Sequence, residues 1–238
     1  MLSAERKLQI NKSKASRFDF DLVANRYDSW YAGRRGAMYD RLEKKLITDF
    51  LPAKAEGKKL LEVGCGTGHW SRFFSEYGFE VIGVDVSERM INISENKNIP
   101  NASFRIGDGH CLSFEDGIFD MTAAITTLEF VRDAELVVQE MVRCTRKPGG
   151  RLLIGVLNEL ARLNRNRKQK PESPYVKARL FSPREPKQLL VQYDEACVVT
   201  AGFTPRQKHF LPLSPLIDTV GRLLHIPYGA FIAGQVRL

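Results

Sequence analysis

The apolar positions of this chain follow two periods in turn. Short, nearly unbroken apolar runs at 60–63, 79–84, 102–106, 119–127 and 151–157 have the length and composition of buried strands. Between them the spacing changes to that of helices. Trp70, Phe73, Phe74 and Tyr77 stand at i, i+3, i+4 and i+7 before Gly78, which predicts a helix with one apolar face whose aromatics belong to the core. Ser87 is placed to cap a second helix, and from Asp133 a third carries Val137, Val138, Met141 and Val142 inward until 147–150, Lys-Pro-Gly-Gly, stops it. Strands alternating with helices over about 100 residues predict a parallel α/β sheet with helices on both faces. Upstream, Phe18, Leu22, Tyr27, Trp30 and Tyr31, then Met38, Leu42, Leu46 and Phe50, predict two helices separated at Gly33 to Gly36, with a linker at 52–57. Residues 1–17 are polar and basic without periodicity, the pattern of a mobile tail.

The first strand delivers the chain into Glu62-Val63-Gly64-Cys65-Gly66-Thr67-Gly68-His69. Alternating glycines between a strand and a helix mark a tight turn to which a ligand can approach the main chain closely. The dinucleotide fingerprint asks for G-x-G-x-x-G, and His69 stands where its last glycine would be, which weakens a pyrophosphate reading. Asp85 closes the next strand, where a carboxylate can accept both hydroxyls of a ribose. Gly107-Asp108-Gly109 closes the third.

With E-x-G-x-G-x-G, Asp85 and Gly107-Asp108-Gly109 together, the chain resembles the class I S-adenosylmethionine-dependent methyltransferases, within them the small-molecule group similar to the ubiquinone and menaquinone C-methyltransferases. The resemblance runs from about residue 18 to about 158 and resumes at the C-terminus. It implies a Rossmann-like, doubly wound sheet of seven strands whose last, near 230–236, is antiparallel. It also implies S-adenosylmethionine as cofactor, S-adenosylhomocysteine as product, and cofactor contacts at Tyr27, Tyr31, Glu62, Gly64, Cys65, Gly66, Gly68, Asp85, Val86, Met90, Asp108, Gly109 and Thr126. Tyr27 and Tyr31 resemble the aromatics that close over the cofactor, and Asp108 takes the adenine amine, with backbone contact from Gly109 or His110. Glu62, costly to bury alone, needs a partner, either a basic neighbour or the cofactor's ammonium group. His110 and Glu129 fall in loops at the carboxyl edge of the sheet, where open α/β sheets bind ligands. No catalytic residue is assigned.

Composition adds one asymmetry. The chain of 238 residues carries a net charge of +8, and +7 of it lies between 162 and 187, interrupted by Pro171, Pro174, Pro183 and Pro186. Such a segment opposes a long helix and predicts a basic lid or insertion over 159–190, between a core at 58–158, preceded by a helical cap at 18–50, and C-terminal strands and helix at 191–238. The four cysteines, Cys65, Cys111, Cys144 and Cys197, show no metal-ligand spacing, so neither a metal site nor a disulfide framework is expected. The N-terminus lacks a signal-peptide core and no apolar run reaches the roughly 18 residues of a membrane span, which predicts a cytoplasmic protein.

The expectation is a methyltransferase acting on a small molecule, for which the basic segment suggests an anionic acceptor. One alternative is an RNA methyltransferase with 162–187 as its footprint, opposed by the scarcity of aromatics there, Tyr175 and Phe181. It is opposed also by Thr126-Thr127-Leu128-Glu129 in place of the D/N-P-P-Y/F tetrapeptide of enzymes that methylate base amines. A second alternative is a catalytically silent cofactor-binding protein.

Overall fold

The computed structural model describes residues 15–171, 173–205 and 207–238. Seven strands, β1 Lys59–Val63, β2 Glu80–Asp85, β3 Ala102–Ile106, β4 Met121–Ile125, β5 Arg151–Leu157, β6 Ala196–Ala201 and β7 Phe231–Arg237, form one sheet in the order β3-β2-β1-β4-β5-β7-β6. The first five are mutually parallel, and β7 runs antiparallel between β5 and β6. Every residue of β4 is buried, which accounts for its continuous apolar sequence: a strand covered on both faces has no solvent side to alternate with.

The helices are α1 Ala24–Tyr27, α2 Ser29–Ala32, α3 Arg34–Phe50, α4 His69–Tyr77, α5 Glu88–Asn96, α6 Ala134–Cys144, α7 Arg162–Lys168, α8 Glu185–Val191 and α9 Ser214–Leu223. One core layer joins the sheet to Val137, Val138 and Met141 of α6 and Leu189 and Leu190 of α8. The other joins it to Leu46, Ile47 and Phe50 of α3 and Trp70 and Phe74 of α4. The Ser87 hydroxyl accepts from Met90 N at the start of α5, and Asp133 Oδ1 accepts from Leu136 N at the start of α6. Both are N-caps that satisfy amides the helix itself leaves free.

Four expectations about the chain's organisation are revised. The tail predicted for 1–17 lies outside the described residues up to 14, but its last part is docked: Ala15 is buried, and Ser16 bridges Val131 as Arg17 N donates to Phe130 O. The predicted pair of helices between 18 and 50 is a 3-10 turn, Phe20–Leu22, followed by three helices, and the break falls at Gly33 alone. Gly36 lies inside α3, where a Cβ would meet Trp30 O at 1.8 Å, so its role is to let α2 pack against α3. α3 buries Leu46, Ile47 and Phe50 in the core, while Asp40 near its start lies against His69 at the turn after β1. Finally, the basic segment is no free insertion. Phe181 is fully buried with its N–H bonded to Leu157 O, and α8 packs on β6 and β7.

Candidate active site

The strand order reverses between β1 and β4, and the crevice above their carboxyl ends is where an open α/β sheet binds a ligand. A cleft opens there. Its floor is Val63, Gly64, Gly66, Val84, Asp85, Gly107, Asp108 and Gly109; Met90, Thr126 and Thr127 form its sides, and Phe20, Tyr27 and Phe130 cover it.

Gly64 and Gly66 both take left-handed backbone, φ 73° and 53°, but for different purposes. A Cβ on Gly64 would meet Thr127 Cγ2 at 2.2 Å, so this glycine lets the turn pack under the loop after β4. A Cβ on Gly66 would meet nothing within 4 Å: it faces the cleft. Asp85 is held by two amides, Gly66 N to Oδ2 and Ser87 N to Oδ1, each at 2.9 Å. Asp108 Oδ1 accepts from His110 N at 3.0 Å and lies 2.6 Å from His110 Nδ1, while His110 Nε2 accepts from Asp133 N at 3.1 Å. An acceptor Nε2 makes Nδ1 the protonated nitrogen, so His110 orients Asp108 against the start of α6. The His110 amide is engaged by Asp108, which leaves its carbonyl and the Gly109 backbone for the contact the resemblance suggested.

Four of the residues the resemblance suggested do not line this cleft. Glu62 is buried beneath the turn, where Ser71 Oγ donates to Oε2 at 2.5 Å. Burial pushes the Glu62 carboxyl up to about 8. Cys65 is buried against Gly83, and burial raises its thiol well above the ordinary range. Gly68 starts α4 and faces Ile99 and Phe104. Tyr31 stands apart as well, stacked on His69 with ring centroids 3.6 Å apart.

The same stack explains His69. Its Nε2 lies 2.6 Å from Asp40 Oδ1, Lys44 holds the other Asp40 oxygen, and Thr67 Oγ1 donates to Asp28 Oδ1 at 2.6 Å. Burial works against the Asp40 carboxylate, and the bonds from His69 and Lys44 outweigh it, leaving its pKa below the ordinary value. Two carboxylates thus sit where a dinucleotide would bring its pyrophosphate to the helix N-terminus. Asp21 adds a third contact, accepting from Ser87 Oγ at 2.5 Å, so residues 18–40 are pinned over the turns by aspartates.

A second, wider cleft of about 1620 Å³ lies between residues 23–31 and 169–175, with Tyr27, Trp30, Tyr31, Tyr175, Arg26 and Lys170 among its walls. Arg167 closes its back, the guanidinium 4.0 Å from the Trp30 ring centroid and 4.9 Å from that of Tyr175. Tyr27 lines both clefts. Under the second cleft Glu129 is fully buried, with Leu157 N donating to Oε1 at 2.5 Å and Oε2 without a partner, and burial pushes it up to about 8. Glu43, half-buried on α3, is raised to about 8 for the same reason. Ser16, Phe20, Thr127, Phe130 and the whole second cleft were missed by the sequence reading, because segments distant in the chain meet only in the fold.

The methyltransferase domain model matches residues 61–154. An uncharacterised protein of Methanocaldococcus jannaschii is 30% identical over 169 residues, 70% of this chain and 75% of that one. A solved structure from Thermotoga maritima, described as an S-adenosylmethionine-dependent methyltransferase and possible histamine N-methyltransferase, superposes with a TM-score of 0.71 at 25% identity over 92% of this chain and 97% of its own. The chain belongs to the methyltransferase domain family. The 2-methyl-6-phytyl-1,4-hydroquinone methyltransferase of Synechocystis is 30% identical over 168 residues, 58% of this chain; the chain spans about half of that relative, 52%. The methyltransferase sheet, with its antiparallel β7, is the one found here. Among the described residues no cluster of His, Cys, Asp and Glu is placed to hold a metal, and no helix is long and apolar enough to cross a membrane.

Proposed function

We propose that this protein binds S-adenosylmethionine in the first cleft and methylates a small aromatic acceptor held in the second. The observation that carries the reading is Asp85, a carboxylate fixed by two amides at the end of β2, beside a glycine whose missing side chain leaves the cleft open. Asp85 would hold the ribose hydroxyls, Asp108 the adenine amine, and Gly64, Gly66 and Thr126 the methionine part. The bound sulfonium supplies an electrophilic methyl group. The protein's contribution is then orientation and dryness: Phe20, Tyr27 and Phe130 cover the first cleft, and Tyr27 leaves one wall between the two ligands.

The acceptor class rests on the walls of the second cleft. Trp30, Tyr31 and Tyr175 suit a planar ring. The relatives' names, a prenylated hydroquinone and histamine, share that feature. Arg26 and Lys170 at the mouth favour an acceptor with an anionic group. Where a hydroxyl must lose its proton, the carboxyls nearest this cleft are Glu43 and Glu129, both felt at Tyr175, and both raised into the range where a carboxyl exchanges protons near neutrality.

The basic segment supports the small-molecule reading over RNA. Arg167 is stacked between two aromatics, Lys168 donates to Ala178 O, and Arg179 pairs with Glu185 while covering Phe181, so these charges hold the segment in place. The test is a thermal-shift titration followed by transfer of labelled methyl to a panel of hydroquinones and aromatic amines. Stabilisation by S-adenosylmethionine and S-adenosylhomocysteine, about 2.7 kcal/mol at 100-fold excess over Kd, is expected. A response to NAD alone, or label appearing only in added RNA, would overturn the proposal.

A further inference from the structure

Helix α9 is amphipathic in the wrong sense for a helix packed on its own protein. The face it turns inward is small and polar: Ser214 and Asp218 are 0% and 1% exposed, and Gly221 is buried against Phe203. Asp218 Oδ1 accepts from Gly202 N and Phe203 N, which pins the helix to the end of β6. The large apolar residues face out. Leu213, Leu216, Ile217, Val220, Leu223 and Leu224 follow the i, i+3, i+4, i+7 spacing of one stripe, with Leu216 66%, Leu223 74% and Leu224 63% exposed. Phe210 and Tyr228 extend the patch at either end. An exposed apolar stripe of this continuity marks an interaction surface.

Charge and place decide the occupant. From 206 to the C-terminus Asp218 is the sole acidic residue, and it is buried. The rim of the stripe carries Lys45, whose ammonium reaches Thr219, and Arg222, which is paired with Asp49 of α3. A second copy of this chain would bring the same basic rim to such a patch, whereas an anionic bilayer offers both an apolar interior and the opposite charge. The helix is also placed for that use. Ala201 of β6 and Leu157 of β5 pair with the same residue, Phe231, so α9 leaves the sheet at its carboxyl edge, where both clefts open. At ten residues, about 15 Å, it can lie in an interface and cannot span one.

We propose that α9 seats the protein on an anionic lipid surface, its apolar stripe in the headgroup boundary and the clefts turned toward the bilayer. The inference is independent of the acceptor's identity. The test is co-sedimentation of the full chain with vesicles of phosphatidylcholine plus phosphatidylglycerol, against vesicles of phosphatidylcholine alone. Binding to the anionic vesicles, weakened by salt and reduced at least about tenfold in L216E/L223E with thermal stability kept, is expected, because both positions are exposed. Three results would overturn it: equal recovery with both vesicles, no binding to either, or a dimer by sedimentation velocity that the double variant makes monomeric.

Discussion

The first cleft takes its polar groups from loops that follow β1, β2, β3 and β4 in turn, each within a few residues of the strand that carries it. The second is assembled from residues 23–31 and 169–175, near opposite ends of the chain. The difference is one of cause. In the first, parallel pairing of β1 with β2 and of β2 with β3 brings successive strand ends together, so a local turn motif suffices to place Asp85 beside Gly66. In the second, nothing local places Trp30 near Tyr175; a guanidinium between two rings does. One cleft is therefore set by the sheet, the other by side-chain contacts between mobile kinds of structure, short helices and turns.

The comparison breaks most visibly at Asp85. Asp85→Ala removes the acceptor for Gly66 N and Ser87 N as well as the ribose contact, and should weaken S-adenosylmethionine binding by about 10- to 100-fold, the value of one or two charge-assisted bonds. Calorimetry that finds parental affinity would separate the ribose from this carboxylate. A smaller effect is expected on the other side. Trp30→Ala takes away a wall and the platform under Arg167, and should raise the acceptor KM about tenfold while cofactor Kd stays within about threefold. Equal losses for both ligands would mean that the clefts are one site.

The smallest effect tests what the halves share. Glu62 and Glu129 are each buried, and burial raises each from 4.5 to about 8. Between those values the folded form keeps a proton that the unfolded chain has lost, so stability falls as pH rises from about 4.5 to 8 and levels off above. On the order of 1 kcal/mol per carboxyl, or about 2–4 °C, Glu62→Gln and Glu129→Gln should each flatten the fall in Tm between pH 5 and pH 8. A Tm that rises over that interval would place both groups among ordinary ionised carboxylates.

Legibility followed the same division. The five parallel strands, the caps at Ser87 and Asp133 and the turn at Gly64 could be read because each depends on residues close in sequence. The bond from Ser71 to Glu62 could not be read, since a buried carboxyl does not announce which neighbour satisfies it. The engagement of His69 by Asp40 and Tyr31 depends on the fold of residues far upstream. The prolines and charge of 162–187 suggested a basic lid or insertion; they gave no sign that Phe181 within it is fully buried and ties the segment to the end of β5.

Tyr27 belongs to both clefts, and that shared wall has a thermodynamic consequence. A ligand in the first cleft that fixes the Tyr27 ring removes freedom that a ligand in the second would otherwise have to remove itself. The two affinities are then linked, and linkage is symmetric: whatever factor the cofactor adds to the binding of the acceptor, the acceptor returns to the cofactor. On this basis the methylated product and S-adenosylhomocysteine leave as an interdependent pair, each loosened by the departure of the other.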